Sequence, residues 1–212
     1  MPKPEEAGGR FLSSEAEPEH EKRPSYGKAM ANTSLWLITL QFLCYNVICL
    51  ALGTYYPTFL NAVRNYTLSA AAFVSSLSMG SAVFSQPLGG YLSDRLGVRK
   101  LLIVISSALM ALICLFPFMV TGWLIPALII ALGLVAGTIV PATFAAVPEV
   151  MGSRQLAGLG MAVLALGQNL GMFIGPIMFG RLAETIGWAG AGFALIPVCA
   201  IGAIAVCLAK FR

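Results

Sequence analysis

After a polar beginning, the chain alternates between long apolar runs and short polar segments. Each apolar run has about 20 to 24 residues, long enough for an α-helix rising about 1.5 Å per residue to cross a hydrocarbon core of about 30 Å. The second run also carries six serines, and small polar residues are typical of helices that pack closely inside a bundle. The pattern therefore predicts an all-α membrane protein with six transmembrane helices, over residues 35–55, 69–92, 101–120, 124–147, 156–179 and 188–208.

The composition excludes a water-soluble domain. Of the 212 residues, 58% are hydrophobic and 10% are charged, whereas about 25% of the residues of a soluble domain are charged. Residues 1–28 hold six of the nine acidic residues, so too few charges remain for a hydrated surface. We therefore expect a polar, disordered tail over residues 1–33, followed by a six-helix bundle over residues 34–212 that lies in the lipid bilayer.

The basic residues predict the orientation of this bundle. Eleven of the thirteen Lys and Arg residues fall on the side of the amino terminus, and only Arg64 and Arg181 fall on the other side. Because basic residues collect on the cytoplasmic side of membranes, both termini are expected in the cytoplasm, in a multi-pass protein of the plasma or inner membrane. The same sorting accounts for the net charge of +4 without nucleic acid as a partner.

Two short polar turns share one pattern of glycine, leucine and acid, and they lie ninety positions apart. Three apolar runs separate them, so the two turns are expected on opposite faces of the membrane. A repeat whose second copy is inverted is typical of secondary transporters, and the sequence therefore predicts a 3+3 inverted repeat. The shared positions are Gly90, Leu92, Asp94 and Gly97 in the first turn, and Gly180, Leu182, Glu184 and Gly187 in the second.

The first turn resembles the signature that the major facilitator superfamily carries between the second and third helices of a six-helix half. The matching positions are Gly90, Leu92, Asp94, Arg95, Gly97, Arg99 and Lys100. The fifth run is similar to the glycine-rich helix of the same family, through Gly160, Gly167, Gly171, Gly175, Pro176 and Gly180. The resemblance covers residues 35–212 and implies one half of a twelve-helix fold, with the features of the carboxy-terminal half.

The resemblance also implies roles for these two motifs. Asp94 is expected to latch the inner gate against the glycine-rich helix of the opposite half, with Arg95, Arg99 or Arg154 as its partner. Capping of a helix by the Asp94 carboxylate is the alternative interpretation. The glycine-rich helix is expected either to flex as a gate, helped by the proline within it, or to form a packing seam. These two interpretations are compatible.

Polar residues inside the apolar runs are the candidates for contact with a solute, since unpaired amides are costly in lipid. The resemblance implies that the first and fourth helices line a central cavity. The candidate substrate-facing residues are Gln41, Tyr45, Asn46, Tyr56 and Thr138, with Gln168 and Asn169 behind them. Hydrogen bonding between helices is the alternative role for each of them.

The central part of every run lacks Asp, Glu, His, Lys and Arg, and the five cysteines lack the spacing of a metal site. The sequence therefore predicts neither an enzyme nor a metal or other cofactor. It predicts movement of a small solute by alternating access, which requires a second six-helix bundle from another copy or a separate chain. Two alternatives remain: a truncated or partial transporter without activity of its own, and a membrane scaffold or regulator of a full-length transporter.

Overall fold

The computed structural model describes Gly27 and residues 30–97, 99–152 and 154–210. All regular secondary structure in these residues is helical, as predicted. Most of the predicted polar tail lies outside the described residues. The helices are α1 (Thr33–Ala62), α2 (Leu68–Leu96), α3 (Arg99–Ile113), α4 (Leu124–Met151), α5 (Arg154–Phe193) and α6 (Leu195–Leu208).

Four of the helices, α1, α2, α4 and α5, are long and apolar enough to cross a membrane. The other two are shorter than the predicted runs. Helix α3 has 15 residues and ends at Ile113, where a series of turns takes over. Helix α6 has 14 residues. The chain therefore folds as a multi-pass membrane protein. The third predicted run is only partly helical, whereas the sixth is helical but divided between the end of α5 and α6.

Gly187 separates the fifth predicted run from the sixth. Its φ of 76° and ψ of 171° are non-helical and interrupt α5, which therefore consists of residues 154–186 and a short stretch over 188–193. A φ in this range is strained for residues with a side chain, so glycine fits the break. The predicted end of the fifth run, at residue 179, came seven residues before the break, whereas the predicted start of the sixth, at residue 188, falls directly after it.

The packing of the helices has a regular plan. Helix α1 packs most extensively on α5, and α2 packs most extensively on α4; in addition, α3 lies against α4 and α6 lies against α1. Two of the close contacts depend on glycine. A methyl group added at Gly175 would overlap the backbone of Val47 in α1, and one added at Gly137 would overlap the backbone of Ala82 in α2. Such close approach of two helix backbones is how helices associate in membranes.

Contacts between the helix termini define two ends of the bundle. The Arg99 end comprises residues 30–34, 94–97, 99–100, 145–152, 154–155 and 207–210, and the Arg64 end comprises residues 55–68, 114–124 and 179–195. At the Arg99 end, the Asn32 side chain donates to the Val150 carbonyl over 2.8 Å. At the Arg64 end, the ring of Phe59 contacts those of Phe118 and Trp188. Helix α1 is mostly buried between its neighbours, whereas α2 is mostly exposed.

Candidate functional site

An ion-pair network joins three helices at the Arg99 end. Arg99 is the first residue of α3, Asp94 lies in the last turn of α2, and Glu149 lies near the end of α4. One guanidinium nitrogen of Arg99 lies 2.8 Å from Asp94 Oδ1, and the other lies 2.8 Å from Glu149 Oε1. That second nitrogen also donates to the Ala145 carbonyl over 2.9 Å. Because an acid near the carboxyl end of a helix is disfavoured by the helix dipole, Arg99 offsets two unfavourable placements at once.

The two ion pairs differ in their exposure to solvent. The Asp94 side chain is 67% exposed, that of Glu149 is 34% exposed, and that of Arg99 is 22% exposed. Solvent screens an exposed pair strongly, so the Arg99–Glu149 pair contributes more to stability than the Arg99–Asp94 pair. The sequence analysis did not assign Glu149 a role. The signal available in the sequence was that Glu149 is one of only three acids beyond residue 34.

The remaining residues of the first motif make separate contacts. Lys100 donates through Nζ to the carbonyls of Cys207 and Ala209, over 2.6 and 2.8 Å, at the end of α6. Arg95 instead bonds the hydroxyl of Tyr91 and lies over its ring, within its own helix. The side chain of Arg154 lies outside the described residues. Of the three arginines expected as partners of Asp94, the described structure therefore brings only Arg99 to it.

One glycine of this motif has a clear backbone reason. Gly97 follows the last residue of α2 with a φ of 62°, a left-handed conformation that ends helices and favours glycine. Gly90 lies in α2, where an added methyl group would make an ordinary van der Waals contact of 3.7 Å with Pro141 in α4, so the packing does not require glycine there. Asp94 is not at the N-cap position of α3, because that helix begins five residues later at Arg99.

Five glycines of α5 lie along its contacts with α1 and α4. Methyl groups added to them would meet Val147 at Gly160, Thr39 at Gly167, Leu43 at Gly171, Val47 at Gly175 and the Tyr55 ring at Gly180. Pro176 lies within the helix and is half-buried. The arrangement is a packing seam over most of the length of α5. The flexing role expected for this helix stays a prediction.

Gln41 and Tyr45 come together at a small interior cavity between α1, α3, α4 and α6. The cavity has a volume of about 10 Å³, and Ser107 and Cys199 also line it. This is about the space that one water molecule requires. Gln41 accepts a long hydrogen bond of 3.4 Å from the Thr143 hydroxyl. The polar side chains there are amide and hydroxyl groups, which can donate and accept hydrogen bonds without carrying charge.

Thr138 is close to this region, whereas Tyr56 is not. The Thr138 and Ser106 hydroxyls lie 2.8 Å apart and link α4 to α3. Tyr56 is buried at the Arg64 end, where its hydroxyl donates to the Pro117 carbonyl over 3.0 Å. Its ring lies in an aromatic cluster with Phe59 and Phe118. In this conformation, Tyr56 therefore links α1 to the segment after α3 and does not share the cavity of Gln41.

Two of the three remaining amides, those of Asn46 and Asn169, donate hydrogen bonds to carbonyls of their own helices. Asn46 is buried, and its side chain donates to the Phe42 carbonyl over 2.7 Å. Asn169 is exposed on α5 and donates to the Ala165 carbonyl over 2.7 Å. Gln168 is half-buried beside it. The hydroxyls of Ser106 and Ser107 also meet this interior, although neither residue was a candidate, because a serine in an apolar run is a weak signal of a site.

Arg64 holds the opposite end of the bundle together. Its guanidinium donates to the carbonyls of Phe118, Met119 and Val120, over 3.3, 3.3 and 3.0 Å. The same group lies 5.4 Å from the centre of the Phe59 ring, within the range of a cation–π contact. Arg64 therefore satisfies the carbonyls of the segment that leaves α3 and fastens this segment to the end of α1.

Replacing Arg64 by glutamine is expected to lower the stability of the purified protein by about 1 to 3 kcal/mol, because charged hydrogen bonds to three carbonyls, two of them partly buried, are lost. Arg64→Lys should recover only part of the lost stability, since lysine keeps the positive charge but lacks the planar guanidinium group with its several donors. Thermal unfolding in one detergent measures the effect. The matched control is Arg181→Gln, which removes an exposed arginine from the same end; equal losses in both variants would contradict the assigned role of Arg64.

Comparison with known proteins identifies the family to which these motifs belong. The sequence profile described as Major Facilitator Superfamily matches residues 2–157 and residues 41–212. The chain belongs to the major facilitator superfamily. Two overlapping matches are expected in this superfamily, because the two halves of its transporters are repeats of each other. The match confirms the family that the resemblance predicted.

One protein to which the chain is similar is described as "Probable nitrate/nitrite antiporter NarK1", from Thermus thermophilus. It is 29% identical to this chain over 92 residues, which are 40% of this chain and 21% of that protein. The chain therefore matches about a fifth of the length of this relative. Such partial coverage leaves the substrate of this chain to be argued from its own residues.

Proposed function

We propose that this chain forms one six-helix bundle of a secondary transporter, and that a small solute moves by alternating access between it and a second bundle. The Arg99 network carries the proposal. It fastens the turn between α2 and α3 to the end of α4, beside the start of the glycine-lined α5. Ion pairs at the Arg99 end are suited to a gate, because their charged groups can exchange partners with a second bundle without disturbing the apolar core.

We further propose that the bundle is a 3+3 inverted repeat. If α1, α2 and α3 correspond to α4, α5 and α6, each major packing pair has a counterpart: α1 with α5 corresponds to α4 with α2, and α6 with α1 corresponds to α3 with α4. The two acidic turns support the same relation, since Asp94 belongs to the Arg99 end and Glu184 to the Arg64 end. The positive-inside pattern then assigns the Arg99 end to the cytoplasm.

The exposed polar residues of α2 and α5 favour a second bundle as the neighbour. Asn169 and Gln86 are exposed near the middle of their helices. A side-chain amide is costly in hydrocarbon, so such positions favour contact with protein or with a wet cavity. A second copy related by an axis along the membrane normal would reproduce the relation between the two halves of the family fold. Its helices could then cover the amides of Asn169 and Gln86.

The solute that this bundle favours is neutral or amphipathic. In the described residues, the charged side chains of the helices lie near the two ends, and the interior near Gln41 presents hydroxyl, amide and thiol groups. Binding of an anion such as nitrate at the centre of the bundle needs positive side chains at that depth. On this ground we do not carry the nitrate of the relative over to this chain.

Disulfide trapping between two tagged forms of the chain tests the second bundle. In a Cys207→Ser background, one form carries Asp94→Cys and the other carries Gln155→Cys, since both positions lie at the Arg99 end. We expect an oxidised product that carries both tags and has twice the 22.4 kDa of one chain. The control pairs Glu184→Cys with Gln155→Cys, which lie at opposite ends and should not cross-link.

A further variant carries Asp94→Cys and Gln155→Cys in the same chain and is recovered as folded protein from the membrane. If it forms cross-links only within a chain, the proposed pairing of two copies is overturned. Co-purification of the chain with a full-length transporter in that case would favour the role of a regulator.

A further inference from the structure

Three sulfur-containing residues from three different helices meet at the small interior cavity beside Gln41. Cys44 of α1, Met110 of α3 and Cys199 of α6 all line this cavity, and all three are buried. The cavity has a volume of about 10 Å³, about the space that one water molecule requires. A group that occupies the cavity is therefore small and has sulfur-containing residues of three helices as its neighbours.

The packing of α6 on α1 brings the two cysteines together. Cys199 and Gly202 are three residues apart, so they lie on one face of α6. A methyl group added at Gly202 would come within 3.2 Å of the Cβ atom of Cys44, so this face of α6 lies directly against Cys44. The thiols of Cys44 and Cys199 are also close enough to interact electrostatically. Two thiols therefore meet across the contact between α1 and α6, although they are far apart in the sequence.

The set of ligands at this cavity suits a soft monovalent metal ion better than zinc. A structural zinc site takes four ligands, which are thiolate, imidazole or carboxylate groups. Within the residues that the structure describes, no three His, Cys, Asp or Glu side chains are grouped as a metal site. Thiolate and thioether ligands together select Cu(I). The other polar residues of the lining are Gln41, Tyr45 and Ser107, so the charge of a bound cation has to be balanced by a thiolate.

We propose that this cavity binds one Cu(I) ion, with the sulfur atoms of Cys44, Cys199 and Met110 as its ligands. On binding, the S–H bond of one cysteine breaks, its sulfur bonds to copper, and the proton leaves to the solvent. The copper stays in the Cu(I) state, so the step needs neither an oxidant nor a reductant. One Cu(I) and one thiolate cancel in charge, which limits the cost of burial. All three ligands belong to one chain, so the inference does not depend on the second bundle of the proposed function.

Anaerobic titration of the purified chain with Cu(I) tests the proposal. The chelator bicinchoninate forms a coloured complex with Cu(I), and loss of this colour measures the Cu(I) that the protein takes up. Every form of the chain carries Cys207→Ser, because Cys207 is the one exposed cysteine of the five. We expect one Cu(I) per chain. Cys44→Ser, Cys199→Ser and Met110→Leu should each weaken binding at least about tenfold, since loss of even an outer partner of a metal ligand costs about 10- to 100-fold in affinity.

Two matched variants control for sulfur elsewhere in the bundle. Cys49→Ser removes a thiol of α1 that does not line the cavity, and Met178→Leu removes a half-buried thioether of α5. Both variants should bind Cu(I) as tightly as the chain that carries Cys207→Ser alone. Binding that is weakened as much by Cys49→Ser as by Cys44→Ser would overturn the proposed set of ligands.

X-ray absorption at the copper edge gives a second answer, which holds even where a cysteine variant fails to fold. In protein labelled with selenomethionine, Met110 places a selenium atom beside the bound copper. The spectrum should therefore show both sulfur and selenium as neighbours of copper, and Met110→Leu should remove the selenium contribution alone. A folded chain that takes up no Cu(I), or a copper spectrum without a selenium neighbour, would overturn the proposal.

Discussion

Gly175→Leu is expected to prevent recovery of most of the folded protein, with a loss of stability of about 3 kcal/mol or more, the upper end of the range for overpacking. The physical reason is the position of Gly175 in the seam between α5 and α1. Even the first carbon of a side chain would overlap the backbone of Val47. A backbone cannot rotate away as a side chain does, so the two helices would have to separate along a contact that stabilises the bundle.

Gly158→Leu is the matched control, because Gly158 lies in the same helix and an added methyl group meets nothing within 4 Å there. That variant should be as stable as the original chain or more stable, since glycine lowers helix stability by about 1 kcal/mol relative to good helix formers. The measurements are the monodisperse fraction after purification and the apparent melting temperature in one detergent. Equal behaviour of the two leucine variants would show that the seam does not depend on close backbone contact.

Arg99→Gln is expected to have the second largest effect, a loss of about 1.5 to 3 kcal/mol, because charged hydrogen bonds to Glu149 and to the Ala145 carbonyl disappear. The two acids should not contribute equally. Glu149→Gln should cost more than Asp94→Asn, since the Asp94 side chain is 67% exposed and that of Glu149 is 34% exposed. An exposed pair contributes only about 0.2 to 1 kcal/mol.

A double-mutant cycle measures this order directly, with thermal unfolding as the signal. The coupling energy of Arg99 with Glu149 should exceed its coupling energy with Asp94. Arg95→Gln is the control from the same motif, because Arg95 contacts only Tyr91 of its own helix among the contacts described above. The assignment of Arg99 as the centre of the network fails if Arg95→Gln is as damaging as Arg99→Gln.

The motif at Gly90–Lys100 shows what the local sequence can predict about contacts and what it cannot. The sequence predicted that Asp94 has an arginine partner, but it offered Arg95, Arg99 and Arg154 without a way to choose. The choice depends on the turn at Gly97, which reverses the chain so that Arg99 faces the end of α4, whereas Arg95 stays on the exposed side of α2. Glu149 escaped prediction for a similar reason, since it lies fifty positions further along and meets Arg99 only after α4 packs on α2 and α3.

The candidate substrate-facing residues illustrate the same limit. Gln41, Tyr45 and Tyr56 share one face of an ideal helix, and all three were candidates for contact with a solute. The structure separates them along the helix axis, because Tyr56 lies 15 residues beyond Gln41 and so belongs to the aromatic cluster at the Arg64 end. The spacing of residues predicts which face of a helix a side chain occupies. The residues that it contacts depend on which helix packs against that part of the face.

The sequence by itself determined that this protein lies in a membrane, is helical and belongs to the major facilitator superfamily. Hydrocarbon excludes charge and requires every backbone group to bond within its own helix, so run length and charge position suffice for the first two conclusions. The family followed from the turn at Gly90–Lys100 and the glycines of the fifth run. Only the tertiary structure decided which helices pair, where α3 ends, how Gly187 breaks α5 and which acid completes the Arg99 network. These features depend on the relative shift and rotation of whole helices, and such contacts between distant residues leave no mark in the local sequence.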